Sequence, residues 1–354
     1  MRSGIMSFSF NFDVESQNPN VDDCNDLQNK EKHSVKPDKH AEDKSKLVEH
    51  IKEAKEHPVP NDPHFLLIDA VPETVQIGTL PSLHFLNETV FEQTASERDD
   101  EEEILSRTLQ QKSDLISGIY EGGLKVWECT YDLLKLIEKD IETFGGKMVL
   151  DLGCGAGLLG ILALKRGARQ VHFQDYNSTV IEQLTVPTVI LNCHEDDVDS
   201  EEDEKAKGKG KGQSKTAGVD VDRKNPQDGD PPQKKQAMDP TLHASLVKCR
   251  FFSGDWSRFL ALLMKETPPS KYDIIFTSET IYNTAYYPSL HDTLQKLLAP
   301  TGLVYLATKA HYFGVGGGLH LFETFVEERG VFSVDHLWDG EEGLQRHIVA
   351  LKFK

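Results

Sequence analysis

The 354-residue chain contains no apolar run near the roughly 18 residues that a membrane crossing needs, and Met1 to Asn11 hold no apolar segment of a secretory leader. Cysteine is scarce. Cys24, Cys129, Cys154, Cys193 and Cys249 are odd in number, scattered and free of C-x-x-C spacing, which argues against a disulfide framework or a metal site and for a reducing compartment. Basic charge is in deficit, with 39 Lys+Arg against 58 Asp+Glu and a net charge of −19. The deficit is local: residues 1–111 hold 11 basic and 23 acidic side chains and residues 194–245 hold 9 and 13, so the remainder is close to neutral. A neutral core offers no basic face to a nucleic-acid backbone, so no direct nucleic-acid specificity is expected.

Composition divides the chain. Residues 1–111, poor in aromatics and carrying the charged run Arg98 to Glu103, read as an acidic, mostly disordered N-terminal extension. Within it, Phe65 to Ile68 and Thr74 to Leu86 are apolar enough either to dock on the core or to bind a partner. Residues 112–354 read as one domain, interrupted at about 194–245 by a disordered charged insertion that runs from the acidic stretch ending at Glu204 into Lys205 to Lys211. Its basic half, with Lys234 and Lys235, is either a solvated spacer or a nuclear address.

Inside the domain the hydrophobic period alternates between strand and helix, the pattern of an α/β protein with a parallel sheet. Seven strands are expected: 148–151, 170–175, 246–252, 272–277, 303–308, 331–338 and 346–353, the last antiparallel and paired across Asp339-Gly340. Helices are expected at 131–139, 158–166, 180–192, 257–264, 287–298 and 319–329, with Asn177 or Ser178 capping the third and Pro300 and Gly302 ending the fifth.

The most informative segment runs Val149-Leu-Asp151-Leu-Gly153-Cys154-Gly155-Ala-Gly157-Leu-Leu-Gly160. Asp151 ends a strand, and Gly153, Gly155 and Gly157 let the backbone turn sharply and approach a ligand before the next helix. A dinucleotide site instead wants G-x-G-x-x-G and lacks a carboxylate two residues ahead, which would repel phosphate and attract a cation. The pattern resembles motif I of the seven-strand S-adenosylmethionine-dependent methyltransferases, which implies a Rossmann-like sheet and a cofactor with an ammonium, a sulfonium and no phosphate. The second strand ends in Asp175-Tyr176-Asn177, where a carboxylate would hold a ribose diol or cap the following helix. The third ends in Gly254-Asp255-Trp256, suited to adenine, with core packing as the alternative for the indole.

The fourth strand ends in Thr277-Ser278-Glu279-Thr280-Ile281-Tyr282, where this class meets the methyl acceptor. Asn/Asp-Pro-Pro-Tyr/Phe, the signature that stacks a flipped base, is missing, so a protein side chain fits better. Two Gly-rich aromatic loops, 117–130 and 309–318, are candidate cleft walls, unless the first merely leads into a helix and the second is a flexible turn.

The resemblance then narrows. Gly118-Ile-Tyr-Glu-Gly-Gly-Leu-Lys-Val-Trp-Glu-Cys-Thr130, Asp151-Leu-Gly-Cys-Gly155, His172-Phe-Gln-Asp-Tyr-Asn177, Cys249-Arg-Phe-Phe-Ser-Gly254, Thr277-Ser-Glu-Thr-Ile-Tyr282 and Lys309-Ala-His-Tyr-Phe-Gly-Val-Gly-Gly-Gly318 resemble the histidine protein methyltransferase family of methyltransferase-like protein 18, from about residue 113 to 354. The resemblance implies methylation of the tele nitrogen of a histidine on a large-subunit ribosomal protein of the L-three type, a role in ribosome biogenesis and translation, and residence in nucleus, nucleolus included, and cytoplasm. It implies cofactor contacts at Val126, Trp127, Glu128, Cys129, Thr130, Cys154, Gly155, Asp175, Tyr176, Asn177, Gly254, Asp255, Trp256 and Ser278, alongside Asp151, Gly153 and Gly157 of the glycine motif. Glu279 is the first candidate to accept the ring N–H and Tyr282 to wall the acceptor, with Glu128 and His311 as weaker candidates. A monomer without membrane contact is expected. Alternatives are a protein-lysine methyltransferase, which the same Tyr-lined cleft with one carboxylate would serve, and a non-catalytic S-adenosylmethionine-binding partner of ribosomal proteins whose acidic extension shields a basic client.

Overall fold

The computed structural model describes residues 51–60, 63–68, 70–87, 102–111, 113–139, 144–193, 240–340 and 343–354. Their strands are β1 (Lys55–His57), β2 (Pro72–Val75), β3 (Leu83–Leu86), β4 (Met148–Leu152), β5 (Gln170–Asp175), β6 (Cys249–Ser253), β7 (Tyr272–Ser278), β8 (Leu298–Lys309), β9 (Phe332–Asp339) and β10 (Arg346–Phe353). Helices α1 (Ile104–Gln111), α2 (Glu128–Lys139), α3 (Leu158–Lys165), α4 (178–193), α5 (Pro240–Leu246), α6 (Trp256–Leu263), α7 (Tyr287–Leu297) and α8 (Leu319–Arg329) alternate with them. None of these helices is long and apolar enough to cross a membrane.

Eight strands form one sheet in the order β1-β6-β5-β4-β7-β8-β10-β9. Strands β6, β5, β4, β7 and β8 are parallel, and β10 lies antiparallel between β8 and β9. The alternating side-chain direction of a strand then sorts the core into two layers. Val149, Val171, Phe173, Ile274 and Phe276 face α2, α3 and α4, whereas Leu150, Leu152 and Ile275 face α6, α7 and α8. Both faces are covered, as a parallel sheet requires.

All seven expected strands form, and the last is antiparallel as expected. Residues ahead of the expected boundary at 112 pair with the sheet and pack on the core. Strand β1 adds to the sheet edge antiparallel to β6, and β2 and β3 make a hairpin whose Leu83 and Phe85 join the core beside α3 and α4. Thus the apolar segment 74–86 docks, because Leu83, Phe85 and Leu86 would otherwise expose their side chains to water. Residues 1–50 lie outside the described residues, as does the charged insertion up to 239; α5 begins at Pro240, inside the span expected as linker.

Two local expectations also change. Asn177 sits at the N-cap of α4, but its side chain makes no cap bond; it donates instead to the Ile119 carbonyl at 2.8 Å. Strand β8 starts at Leu298 and passes through Pro300 and Gly302, because Leu298 pairs with Tyr272 across a register shift. Helix α4 contains a wide π turn at Ile181–Thr185, which turns the Thr185 hydroxyl onto the Gly155 carbonyl at 2.7 Å.

Gly160 of α3 has no room for a side chain, because a Cβ there would overlap the ring of Phe173, itself fully buried and stacked on Phe251. Helix propensity alone favours Gly160→Ala by about 1 kcal/mol, whereas overpacking costs about 1–3 kcal/mol. Urea unfolding is expected to show a net loss; a variant as stable as the wild type would contradict the packing account.

Candidate functional site

The five parallel strands end on one side of the sheet, and the glycine turn after β4 opens a crevice there. Gly153 and Cys154 both donate their amides to the Gln174 carbonyl at 2.8 Å, and Gly155 donates to Asp175 Oδ2 at 3.0 Å. This ties the end of β4 to the end of β5. Gly155 has φ +49°, and a Cβ on it would lie 3.0 Å from the Gly123 carbonyl, so only glycine lets the 118–127 loop close over the turn. That loop is pinned from β5: Tyr176 donates its hydroxyl to the Gly118 carbonyl at 3.1 Å and Asn177 holds Ile119. Trp127 Nε1 closes it by donating to the Gly122 carbonyl at 3.0 Å.

The crevice and its open mouth together span about 830 Å³. Val126, Trp127, Thr130, Gly153, Cys154, Gly155, Asp175, Tyr176, Gly254, Asp255, Trp256 and Ser278 line it, together with Glu279 and Tyr282. Other residues of the expected set do not line it. Asp151 is buried beneath the turn, where Oδ2 accepts from the Gly160 amide at 2.9 Å. Gly157 caps α3 against Phe173, Cys129 is buried in α2, and Asn177 acts as a loop staple. Glu128 turns toward Lys309 Nζ at 3.2 Å, and His311 is exposed and stands apart from the crevice.

Each wall has a physical cause. Asp255 Oδ1 caps α6 by accepting from Ser257 N at 2.8 Å, which starts the helix at Trp256 and directs the indole N–H to Gln174 Oε1 at 3.0 Å. Ser278, ending β7, meets Thr130 of α2 at 3.1 Å, closing the opposite wall. Burial drives the carboxyls upward: Asp151 is pushed to about 7 and Asp175 to about 6, the latter opposed by amide donation from Gly155.

A second chamber of about 360 Å³ adjoins the crevice and shares Glu121, Trp127, Glu279 and Tyr282 with it. Glu279 is buried in a left-handed conformation at φ +59°, and its Oε1 has no hydrogen-bond partner. Such strain concentrates where geometry serves function. Glu121 accepts from the hydroxyls of Tyr282 and Tyr286 and from the Gly118 amide at 2.5 Å, while burial raises its carboxyl above the usual range. Lys309 and Tyr312 complete the chamber. Glu121, Lys309, Tyr286 and Tyr312 were not among the expected site residues; the sequence signal for Glu121, Lys309 and Tyr312 is position within the Gly-rich loops, and for Tyr286 it is position four residues after Tyr282.

Asp151 sits at 3.8 when unfolded and about 7 when folded, so its contribution to stability is present at acid pH and lost as pH rises through 7. Asp151→Asn keeps an acceptor for Gly160 and removes the ionisation. Its melting temperature is expected to rise relative to wild type at pH 8 more than at pH 5; an equal effect at both would contradict the buried-acid assignment.

Comparison with known proteins agrees with this architecture. Residues 129–337 match the family described as "Methyltransferase domain". The chain is 46% identical over 306 residues to the Bos taurus protein named "Histidine protein methyltransferase 1 homolog", covering 86% of this chain and 74% of that one. The Mus musculus protein of the same name is 44% identical, with 86% and 75% covered, and the Saccharomyces cerevisiae "Histidine protein methyltransferase 1" is 26% identical, with 68% and 66% covered. With a domain match over more than half its length and relatives of this identity and coverage, the chain belongs to the histidine protein methyltransferase family.

Proposed function

We propose that the protein methylates the tele nitrogen of a histidine side chain on a large-subunit ribosomal protein of the L-three type, using S-adenosylmethionine. The observation that carries this reading is the second chamber: an aromatic box contiguous with the crevice, holding a buried carboxylate whose Oε1 makes no hydrogen bond and meets the Lys309 ammonium, in an ion pair at 3.4 Å. A neutral imidazole brings one N–H donor and one lone pair, which matches that need. The names of the relatives and the sequence resemblance support the same acceptor.

The residues of the crevice suit S-adenosylmethionine, which supplies an electrophilic methyl group on its sulfonium. The glycine turn gives the close backbone approach, Asp175 offers acceptors for a ribose diol, and Trp256 with Asp255 borders the adenine end. Ser278 and Thr130, hydrogen-bonded to each other, would hold the methionine end. Glu279 accepts the ring N–H and fixes the tautomer, so that the other nitrogen turns its lone pair toward the methyl carbon. That nitrogen would take the methyl group the bound cofactor supplies, a C–N bond replacing the S–C bond whose electron pair would stay on sulfur. The ring, now positively charged beside Glu279, later releases its remaining N–H proton to solvent. Trp127 and Tyr282 wall the ring, and positioning does most of the catalysis.

The acidic residues of the N-terminal segment suit a basic ribosomal client by charge complementarity, and the resemblance supports work in nucleus and cytoplasm, with a role in ribosome biogenesis.

Glu279→Gln is expected to lower kcat at least about 100-fold while leaving the affinity for S-adenosylmethionine within about threefold; turnover within about threefold of wild type would rule out the tautomer-holding role. Asp175 must be ionised to accept from both ribose hydroxyls, so affinity for the cofactor should weaken as pH falls below about 6, whereas Asp175→Asn should bind weakly with a flat profile. Titration calorimetry across pH 5 to 8 checks this, and a flat wild-type profile would contradict it.

A further inference from the structure

Lys309 ends β8 inside the acceptor chamber and is only 4% exposed. Its ammonium lies 3.2 Å from Glu128 Oε2 and 3.4 Å from Glu279 Oε1. It also lies 5.1 Å from the ring centroid of Trp127 and 5.9 Å from that of Tyr312. Two carboxylates with two aromatic faces form the environment that receives an organic ammonium. Here the chain's own side chain fills it.

We propose that Lys309 is a specificity-determining residue: by filling the cation position of the acceptor chamber it restricts transfer to an uncharged ring nitrogen and excludes the ammonium of a lysine side chain. This rests on the reading of the reaction given above. A lysine acceptor entering the chamber brings a second ammonium close to a buried like charge, and the carboxylates and rings that would compensate it are already engaged. A neutral imidazole meets no such repulsion and still finds Glu279. Glu121, the other acid lining the chamber, is held by the hydroxyls of Tyr282 and Tyr286 and does not offer a replacement cation site. The selection therefore works by penalising the wrong acceptor as well as by fitting the right one.

The test uses the full-length protein with labelled S-adenosylmethionine and the large-subunit protein that the wild type labels, both as it stands and with the labelled histidine replaced by lysine. Methyl transfer to the amine joins carbon to nitrogen, leaves the electron pair on sulfur and releases one proton to solvent. Lys309→Met is expected to raise the ratio of methyllysine to methylhistidine, measured on the two substrates, by at least about tenfold. Lys309→Arg, which keeps the charge, should leave that ratio within about twofold of wild type. Because Lys309→Met leaves two carboxylates without their cation, Lys309→Met/Glu128→Gln is measured beside it and should show the same rise. An unchanged ratio in the folded variants, or an equal rise in Lys309→Arg, overturns the proposal while the histidine reaction stands. If the wild type forms no methylhistidine, the reading of the reaction fails and the proposal with it.

Discussion

Two backbone amides, of Gly153 and Cys154, converge on the Gln174 carbonyl at 2.8 Å each, and the next amide reaches Asp175 at 3.0 Å. These three bonds lock the ends of neighbouring strands β4 and β5 together. Once they form, the turn has to climb through left-handed glycine conformations before α3 can begin. The Gly155 carbonyl, left outside the turn, is taken by Thr185 from the π segment of α4. The crevice is thus shaped by main-chain satisfaction, since buried amides and carbonyls must find partners. The 118–127 loop, fastened by Tyr176 and Asn177, then completes a wall that β4 and β5 alone do not supply.

The same joint separates two electrostatic environments. At the crevice and just beneath its glycine turn, burial lifts Asp175 and Asp151 above their ordinary range, and the charge of Asp175 adds to the effect on Asp151. In the adjoining chamber, carboxylates are met by tyrosine hydroxyls and by one buried ammonium. On the proposed reading, positive charge passes from sulfur in the first space to an imidazole in the second. Glu279, held at φ +59° on the border, faces both.

The sheet was legible because strands covered on both faces must be continuously apolar and helices must alternate with them; 170–175 and 319–329 fall where their periods place them. Strand β1 was not legible, since Lys55-Glu-His57 has no apolar pattern and gains its place from edge pairing with Phe251 to Ser253. The β2–β3 hairpin carried apolar residues but no period to say whether they served a core or a partner. In the site, residues at strand ends were found because topology fixes their position: Asp175, Gly254 and Ser278 all line the crevice. Asp151 and Asn177 have the right chemistry and spacing, yet each serves the backbone around the site, and no spacing rule separates holding a ligand from holding the loop that holds it. Glu121 comes from a loop, where position is set by tertiary contacts; Lys309 lies one residue past the expected strand, at the true end of β8, and His311, two residues beyond it, turns outward instead.

The most direct test of protein-histidine methylation is chemical. The purified wild-type protein is incubated with labelled S-adenosylmethionine and a ribosome-containing lysate, and the labelled protein is hydrolysed for amino-acid chromatography. The account predicts label in tele-methylhistidine on one large-subunit ribosomal protein. Label in methyllysine, or cofactor binding without any transfer, would contradict it.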